Sequence, residues 1–290
     1  MKKWYELYFG KTLTRSYNPV PALKPYIKKY LFYENREGQS MGIPFRALPN
    51  GYTEVYLHLK GSRIRFLRKN ECYKHAHFVA GIFEMGYPLK LDIEKDGGIF
   101  KGICITFNPS GVSRLLGIDV GGLTNRIVDF TSLSGSQSLE FLEQLEVASS
   151  DQEAIHLLNT FFMERLNQAG STGSPEIHFI LDLLTHELGQ FSIEELARHT
   201  NHSYKFIYRL FDKHLGLCPK MYIKILRFNK ACSLLHHHPG IAWSELVHRC
   251  GYYDQSHFIR EFRAIMKESP CHFLKTTGGN FYLNRAFCFK

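Results

Sequence analysis

SYKFIYRLFDKHLGLCPKMY (Ser203–Tyr222) and DQSHFIREFRAIMKESPCHF (Asp254–Phe273) overlay when the chain is shifted by 51 residues. Arg209 falls on Arg260, Phe211 on Phe262, Pro219 on Pro270 and Tyr222 on Phe273. Each copy follows a shorter segment, SIEELARHT before the first and AWSELVHRC before the second. A repeat of this length predicts two copies of one supersecondary unit, and the local chemistry fits helix-turn-helix. Ser192 and Glu195 have capping-box spacing. Asn201 and Gly251 fall in the turns, where residues tolerant of positive φ are needed. Ser203 and Asp254 then cap the second helix of each unit.

The periodicity of those second helices separates two faces. Phe206, Ile207, Leu210 and Phe211 form one apolar stripe, and Phe258, Phe262, Ile265 and Met266 the other. The opposite faces carry Lys205, Tyr208, Arg209 and Asp212, then Ser256, Ile259, Arg260 and Arg263. An arginine in the second turn of each helix can bond bidentately to guanine, and tyrosine or isoleucine can meet a thymine methyl. Between the units, CPKMYIKILRFNKACSLLHHHPG reads as one helix with Pro219 at its start and Pro239–Gly240 at its end. At about fifteen residues it would span roughly 22 Å. That is enough to fix two readers on major-groove faces about 34 Å apart.

These residues resemble the DNA-binding domain of AraC/XylS-type transcription regulators over about residues 175–275. The telling words are IEELARHTN…S…F…RLF…HLG…P…Y and GYYDQSHFIREF…SP. The resemblance implies base reading by Lys205, Tyr208 and Arg209, then by Gln255, Ser256 and Arg260; Gln255 comes from the resemblance alone. Expected phosphate contacts are Ser203, Lys213, Lys220, Arg227, His257 and Arg263. Three departures from the family pattern stand in the second unit. Lys267 replaces a glycine, Val247 a small alanine, and Ala242 a capping hydroxyl. The second reader is therefore expected to be held less firmly.

Upstream, YTEVYLHLKG, SRIRFLR, HFVAGIF and FKGICITF are short runs rich in β-branched and aromatic residues. They predict strands over the first ~130 residues, in a closed or sandwiched sheet that hides its edges. YNPVPALKPYIKKYLFYE, ALPNGYTEV and GICITFNPSGVSRLLGIDVGGLTNRIVDF resemble the sensing module found before such DNA-binding domains, often a cupin-like β-barrel. Helical period begins near Ser138. Ile155, Leu158, Phe162 and Leu166 form a stripe that either packs on the barrel or makes a dimer seam. AGSTGSP (169–175) is a linker.

The expected fold is α+β: a β-rich, barrel-like (cupin-like) N-terminal domain with helices, then an all-α domain of two helix-turn-helix units joined by a long helix. Its parts are an effector or dimerisation domain at 1–168, the linker at 169–175, and a DNA-binding domain at 176–275. The two units lie at about 192–214 and 242–266, and the tail at 276–290 has no clear period.

Composition agrees. The 290 residues carry 44% apolar and 22% charged side chains, an ordinary globular balance. Net charge is +9, and Arg198 to Lys230 holds eight Lys or Arg against Asp212 alone. Such a stretch favours an anionic partner. Seven cysteines without CxxC, and no visible signal peptide, predict reduced thiols in a cytoplasmic chain. No apolar run approaches a membrane span.

Catalytic and metal chemistry find little footing. Cys72, His75 and His77 are the best metal candidates, but the glutamate a cupin would add is missing, with Gly81 and Ile82 at its place and Glu84 late. His236–His238 suit a helix C-terminus. GIDVGG lacks the Lys-Ser/Thr of a P-loop, and no G-x-S-x-G or H-E-x-x-H occurs. No enzyme, cofactor or metal is expected. The alternative is a DNA-repair protein with a reactive Cys72, beside Lys69, Lys74 and His75. Double-stranded DNA is the expected partner. A small-molecule effector, RNA polymerase and a second copy of the chain stay open.

Overall fold

The computed structural model describes residues 12–277 apart from 36–41, 48, 61, 69–70, 76, 83, 85–86, 96–99, 136, 170–174, 188–190 and 239. The chain divides into two compact units. One comprises Met1–Phe45, Tyr52–Gly81 and Pro88–Gly173, the other Arg46–Gly51, Ile82–Tyr87 and Ser174–Lys290. The second unit thus takes in residues 46–51 and 82–87, which the sequence reading gave to the N-terminal domain. Ile82 shows why: its side chain is buried in the second unit's apolar core.

Among the described residues ten strands lie wholly or mostly in the first unit: β1 (Thr12–Tyr17), β2 (Ile27–Asn35), β3 (Gly42–Ala47), β4 (Thr53–Lys60), β5 (Ser62–Arg68), β6 (Glu71–His75), β7 (His77–Ala80), β8 (Tyr87–Lys95), β9 (Phe100–Phe107) and β10 (Ile127–Asp129). They form two sheets, ordered β1-β2-β9-β4-β7-β10 and β3-β8-β5-β6. The register explains the sequence alternation. Tyr30, Ile105, Val55 and Val79 stand in one row across β2, β9, β4 and β7, all fully buried. One residue along, Leu31, Cys104, Tyr56 and Phe78 make a row on the other face.

The apolar face is covered by four helices, α1 (Gly111–Leu116), α2 (Phe130–Ser134), α3 (Gln137–Val147) and α4 (Asp151–Gln168). α1 falls inside the stretch read as strands; six residues are too few to show a helical period. The α4 stripe packs on its own sheet, with Leu158 and Phe162 fully buried and Phe162 edge-on to Phe107 at 5.5 Å. Ala154 and Phe161 are buried with them, whereas Ile155 and Leu166 only flank the core. Leu158 and Phe162, two of the four stripe residues, are thus used within the unit. Arg15 and Tyr17 of β1 both donate to the Asp151 carboxylate, tying the start of α4 to the sheet.

The second unit is helical: α5 (Pro175–His186), α6 (Ile193–Thr200), α7 (Tyr204–Leu215), α8 (Pro219–His237), α9 (Trp243–Arg249), α10 (Gln255–Met266) and α11 (Pro270–Thr277). α8 has 19 residues, not fifteen, so it extends about 28 Å. Pro219 opens it, as its fixed φ and missing N–H allow. The chain as a whole is α+β, with two helix-turn-helix units on either side of α8. The tail from 278 onward lies outside the described residues.

Candidate nucleic-acid interface

α6 starts at a full capping box. The Ser192 N–H donates to Glu195 Oε2 at 2.7 Å, and the Glu195 N–H donates to Ser192 Oγ at 3.1 Å. It ends where Asn201 turns left-handed at φ 53°. Ser203 then accepts the Phe206 N–H at 3.2 Å and starts α7. Caps of this kind contribute about 1 kcal/mol each.

The rotation of α7 is set by Ile207, Leu210, Phe211 and Leu215, all buried, with Phe211 edge-on to Tyr222 of α8. Phe206, expected in that stripe, is only half-buried and lies against His202 at 4.3 Å between ring centroids. The rotation leaves Lys205, Tyr208, Arg209, Asp212 and Lys213 exposed.

The second helix-turn-helix repeats the scheme. Gly251 makes the turn at φ 70°, and Asp254 Oδ1 accepts the His257 N–H at 2.6 Å. Phe258, Phe262, Ile265 and Met266 are buried, and Phe262 meets both Phe228 and Phe273. Gln255, Ser256, Arg260 and Arg263 are exposed, while Ile259, expected outward, is half-buried. The three departures are legible here. Ala242 caps α9 with no side-chain bond, and Val247 is buried. Lys267 adopts the left-handed conformation at φ 61° that a glycine would take without strain.

The side chains of Lys205, Arg209, Arg260 and Arg263 make no ion pair or hydrogen bond among the described residues. An unpaired guanidinium keeps its planar donor fork for an incoming anion or base edge. Lys220 is exposed and Arg227 half-buried. Ser203 spends its oxygen on the cap, leaving its hydroxyl proton to donate. His257, an expected phosphate contact, is engaged within the protein. Its Nδ1 accepts the Tyr253 N–H at 3.3 Å, and its Nε2 faces Glu261 Oε1 at 3.3 Å. Sequence reasoning passed over Tyr253, whose side chain is 92% exposed just before the α10 cap. A turn residue has no periodicity to mark it.

The side chains of Cys72 and His75 lie outside the described residues, so neither the metal candidate nor the repair reading is located. His77 has its pKa lowered by burial, with Asp129 acting the other way. Among the described residues no group of three or more His, Cys, Asp or Glu could hold a metal. Burial pushes the Cys250 thiol up to about 11 and raises Cys104 and Cys232 well above the ordinary range. Such thiols stay protonated and are poor nucleophiles.

A family profile described as a helix-turn-helix domain matches residues 196–276. Residues 196–276 form an AraC/XylS-type helix-turn-helix domain. A second profile, a domain of unknown function (DUF6597), matches residues 15–129. Ahead of the AraC/XylS-type domain, then, lies a module with no assigned role.

The HTH-type transcriptional activators RhaS of Salmonella arizonae and Salmonella newport are each 35% identical over 77 residues. The match spans 27% of this chain and 27% of each relative. Among solved structures, ToxT from Vibrio cholerae O395 aligns over 88% of this chain and 98% of its own, at 14% identity and a TM-score of 0.44. Unsaturated fatty acid-bound ToxT of strain SCE256 aligns over 84% and 94%, at 11% identity and 0.43. The C-terminal domain of AraT, a response regulator from Geobacillus stearothermophilus, aligns over 37% and 88%, at 25% identity and 0.34. No helix among the described residues is long and apolar enough to cross a membrane.

Proposed function

We propose that this chain is a sequence-specific regulator of transcription that binds duplex DNA through α7 and α10. The observation that carries the reading is the equivalence of Arg209 and Arg260. Each stands in the second turn of its helix, exposed and without a partner among the described residues, on a face whose reverse side is buried core. Lys205, Tyr208 and Arg209 read one segment of the major groove, and Gln255, Ser256 and Arg260 read the next. Ser203, Lys213, Lys220, Arg227 and Arg263 lie along the backbone. The chain acts by binding and carries no catalytic step.

The first unit acts as the control element. The inner row beside Tyr56 supports this: Glu54, His58 and Thr106 are all buried, which an apolar core would not require. Tyr56 donates to Glu54 at 2.7 Å, and Tyr33 meets His58 at 3.0 Å. A ligand or a second copy of the chain regulates only by favouring one state over another. RhaS is named an activator, so contact with RNA polymerase belongs to the same proposal, as does a homodimer whose paired sites raise avidity.

The test is selection of bound sequences from a random duplex pool by the full chain, with and without a small-metabolite extract. Enrichment of one motif with two blocks about a helical turn apart supports the reading. Salt-sensitive binding with no enriched motif refutes sequence-specific regulation.

A further inference from the structure

We propose that Tyr253 is a DNA contact in its own right, its phenol donating to a backbone phosphate at the edge of the second reader's site. The proposal rests on the DNA-binding reading above. Tyr253 directly precedes Asp254, the cap of α10. Its side chain is 92% exposed, more than any other large apolar side chain among the described residues.

The backbone beneath this side chain is held. The Tyr253 N–H donates to His257 Nδ1, the His257 N–H donates to Asp254, and Glu261 links His257 to Lys224 of α8 at 3.7 Å. A fixed Cα carrying an uncommitted side chain is what a contact residue needs.

The repeat makes the exposure meaningful. The 51-residue shift sets Tyr253 on His202, and His257 on Phe206. In the first helix-turn-helix His202 lies against Phe206. In the second, His257 has both ring nitrogens engaged and Tyr252 edge-on to it at 5.4 Å. The shelf that holds His202 is thus taken, and Tyr253 stays in solvent.

On α10, which follows directly, the exposed groups suit an anion: the Arg260 side chain is unpaired, and Gln255 and Ser256 are neutral donors. Carboxylates of α9 and α10 have partners: Asp254 accepts the cap bond, Glu245 pairs with Arg249 at 3.3 Å and Glu261 faces His257. Tyrosine adds a rigid apolar body and one donor at little entropic cost.

The experiment compares the full wild-type chain with Tyr253→Phe on the duplex selected from the pool and on a shuffled duplex. Fluorescence anisotropy gives Kd at several salt concentrations. The phenylalanine variant should bind both duplexes about three- to tenfold more weakly, with an unchanged salt slope, because a neutral donor releases no counterion. Its melting temperature should match wild type. Wild-type affinity on both duplexes overturns the proposal, as does a loss confined to the selected duplex, which would mark a base contact. Arg209→Ala serves as the control. If it weakens binding while Tyr253→Phe does not, the DNA reading stands and this proposal alone falls. A wild-type chain that binds no duplex sinks both.

Discussion

His257 Nε2 lies 3.3 Å from Glu261 Oε1, one turn further along α10. The other ring nitrogen accepts a backbone N–H from Tyr253. To accept there, Nδ1 must be bare, so the proton sits on Nε2 and faces the carboxylate. The ring joins the turn to the helix and has no nitrogen left for phosphate. His257→Gln should therefore leave the salt slope of DNA binding unchanged while lowering stability by about 1 kcal/mol. Arg263→Gln should reduce the slope by about one. A reduced slope in His257→Gln, measured by anisotropy across a salt series, would return the ring to the phosphates.

The two arginines make a sharper prediction. Arg209→Ala and Arg260→Ala should each cost roughly 1–3 kcal/mol on the selected duplex and relax specificity at one base pair. The two positions should lie in different blocks of the motif. Repeating the pool selection with each variant checks this. A loss that is uniform over all sequences would make the residue a phosphate contact.

The helical half was legible because its local rules agree with its packing. The Ser192–Glu195 box, the Asn201 and Gly251 turns and the Ser203 and Asp254 caps all act locally. Periodicity then set the rotation of α7 and α10, failing only at the stripe edges, Phe206 and Ile259. The six-stranded sheet was legible as strands but not as an order, since β9 lies between β2 and β4 through pairings that no local pattern encodes. The internal partners of His257 were not legible for a related reason. Its partners Tyr253 and Glu261 are close in sequence, but Glu261 is a charged residue that becomes buried only through tertiary packing around Lys224 and Phe262.

Lys267 offers a test of how firmly the second reader is held. At φ 61° a lysine Cβ crowds the following carbonyl, a strain of about 1 kcal/mol that glycine does not have. Lys267→Gly should stabilise the second unit by about that amount. Ala242→Ser should add a further ~1 kcal/mol by bonding the open N-terminus of α9. Hydrogen exchange of α9–α11 amides is the direct measurement. If Lys267→Gly slows exchange and also tightens binding to the second block of the motif, loose docking of α10 limits affinity. If exchange is unchanged, the left-handed lysine is not a weak point.

His58 predicts a pH dependence for the first unit. Burial pushes its pKa down to about 3, with His77 adding to the shift. Tyr33 reaches it across Gly102, where a Cβ would stand 2.3 Å from the phenol oxygen, so the pair depends on that glycine. The unfolded chain returns His58 to an ordinary pKa near 6.5. Above pH 6.5 both states are neutral, and the histidine contributes no pH dependence. Below it the unfolded state takes up a proton that the folded state refuses, so stability falls as pH drops from about 6.5 toward 3. Between pH 7 and 5 the loss from this residue should be about 2 kcal/mol. His58→Gln should be less stable at pH 8 yet lose about 2 kcal/mol less over that interval, read from urea midpoints by circular dichroism. Gly102→Ala should break the Tyr33–His58 contact, lower stability at pH 8 and steepen no part of the curve. If His58→Gln keeps the full acid loss, the responsible group is another buried histidine, with His77 and His214 next in line because burial lowers their pKa as well.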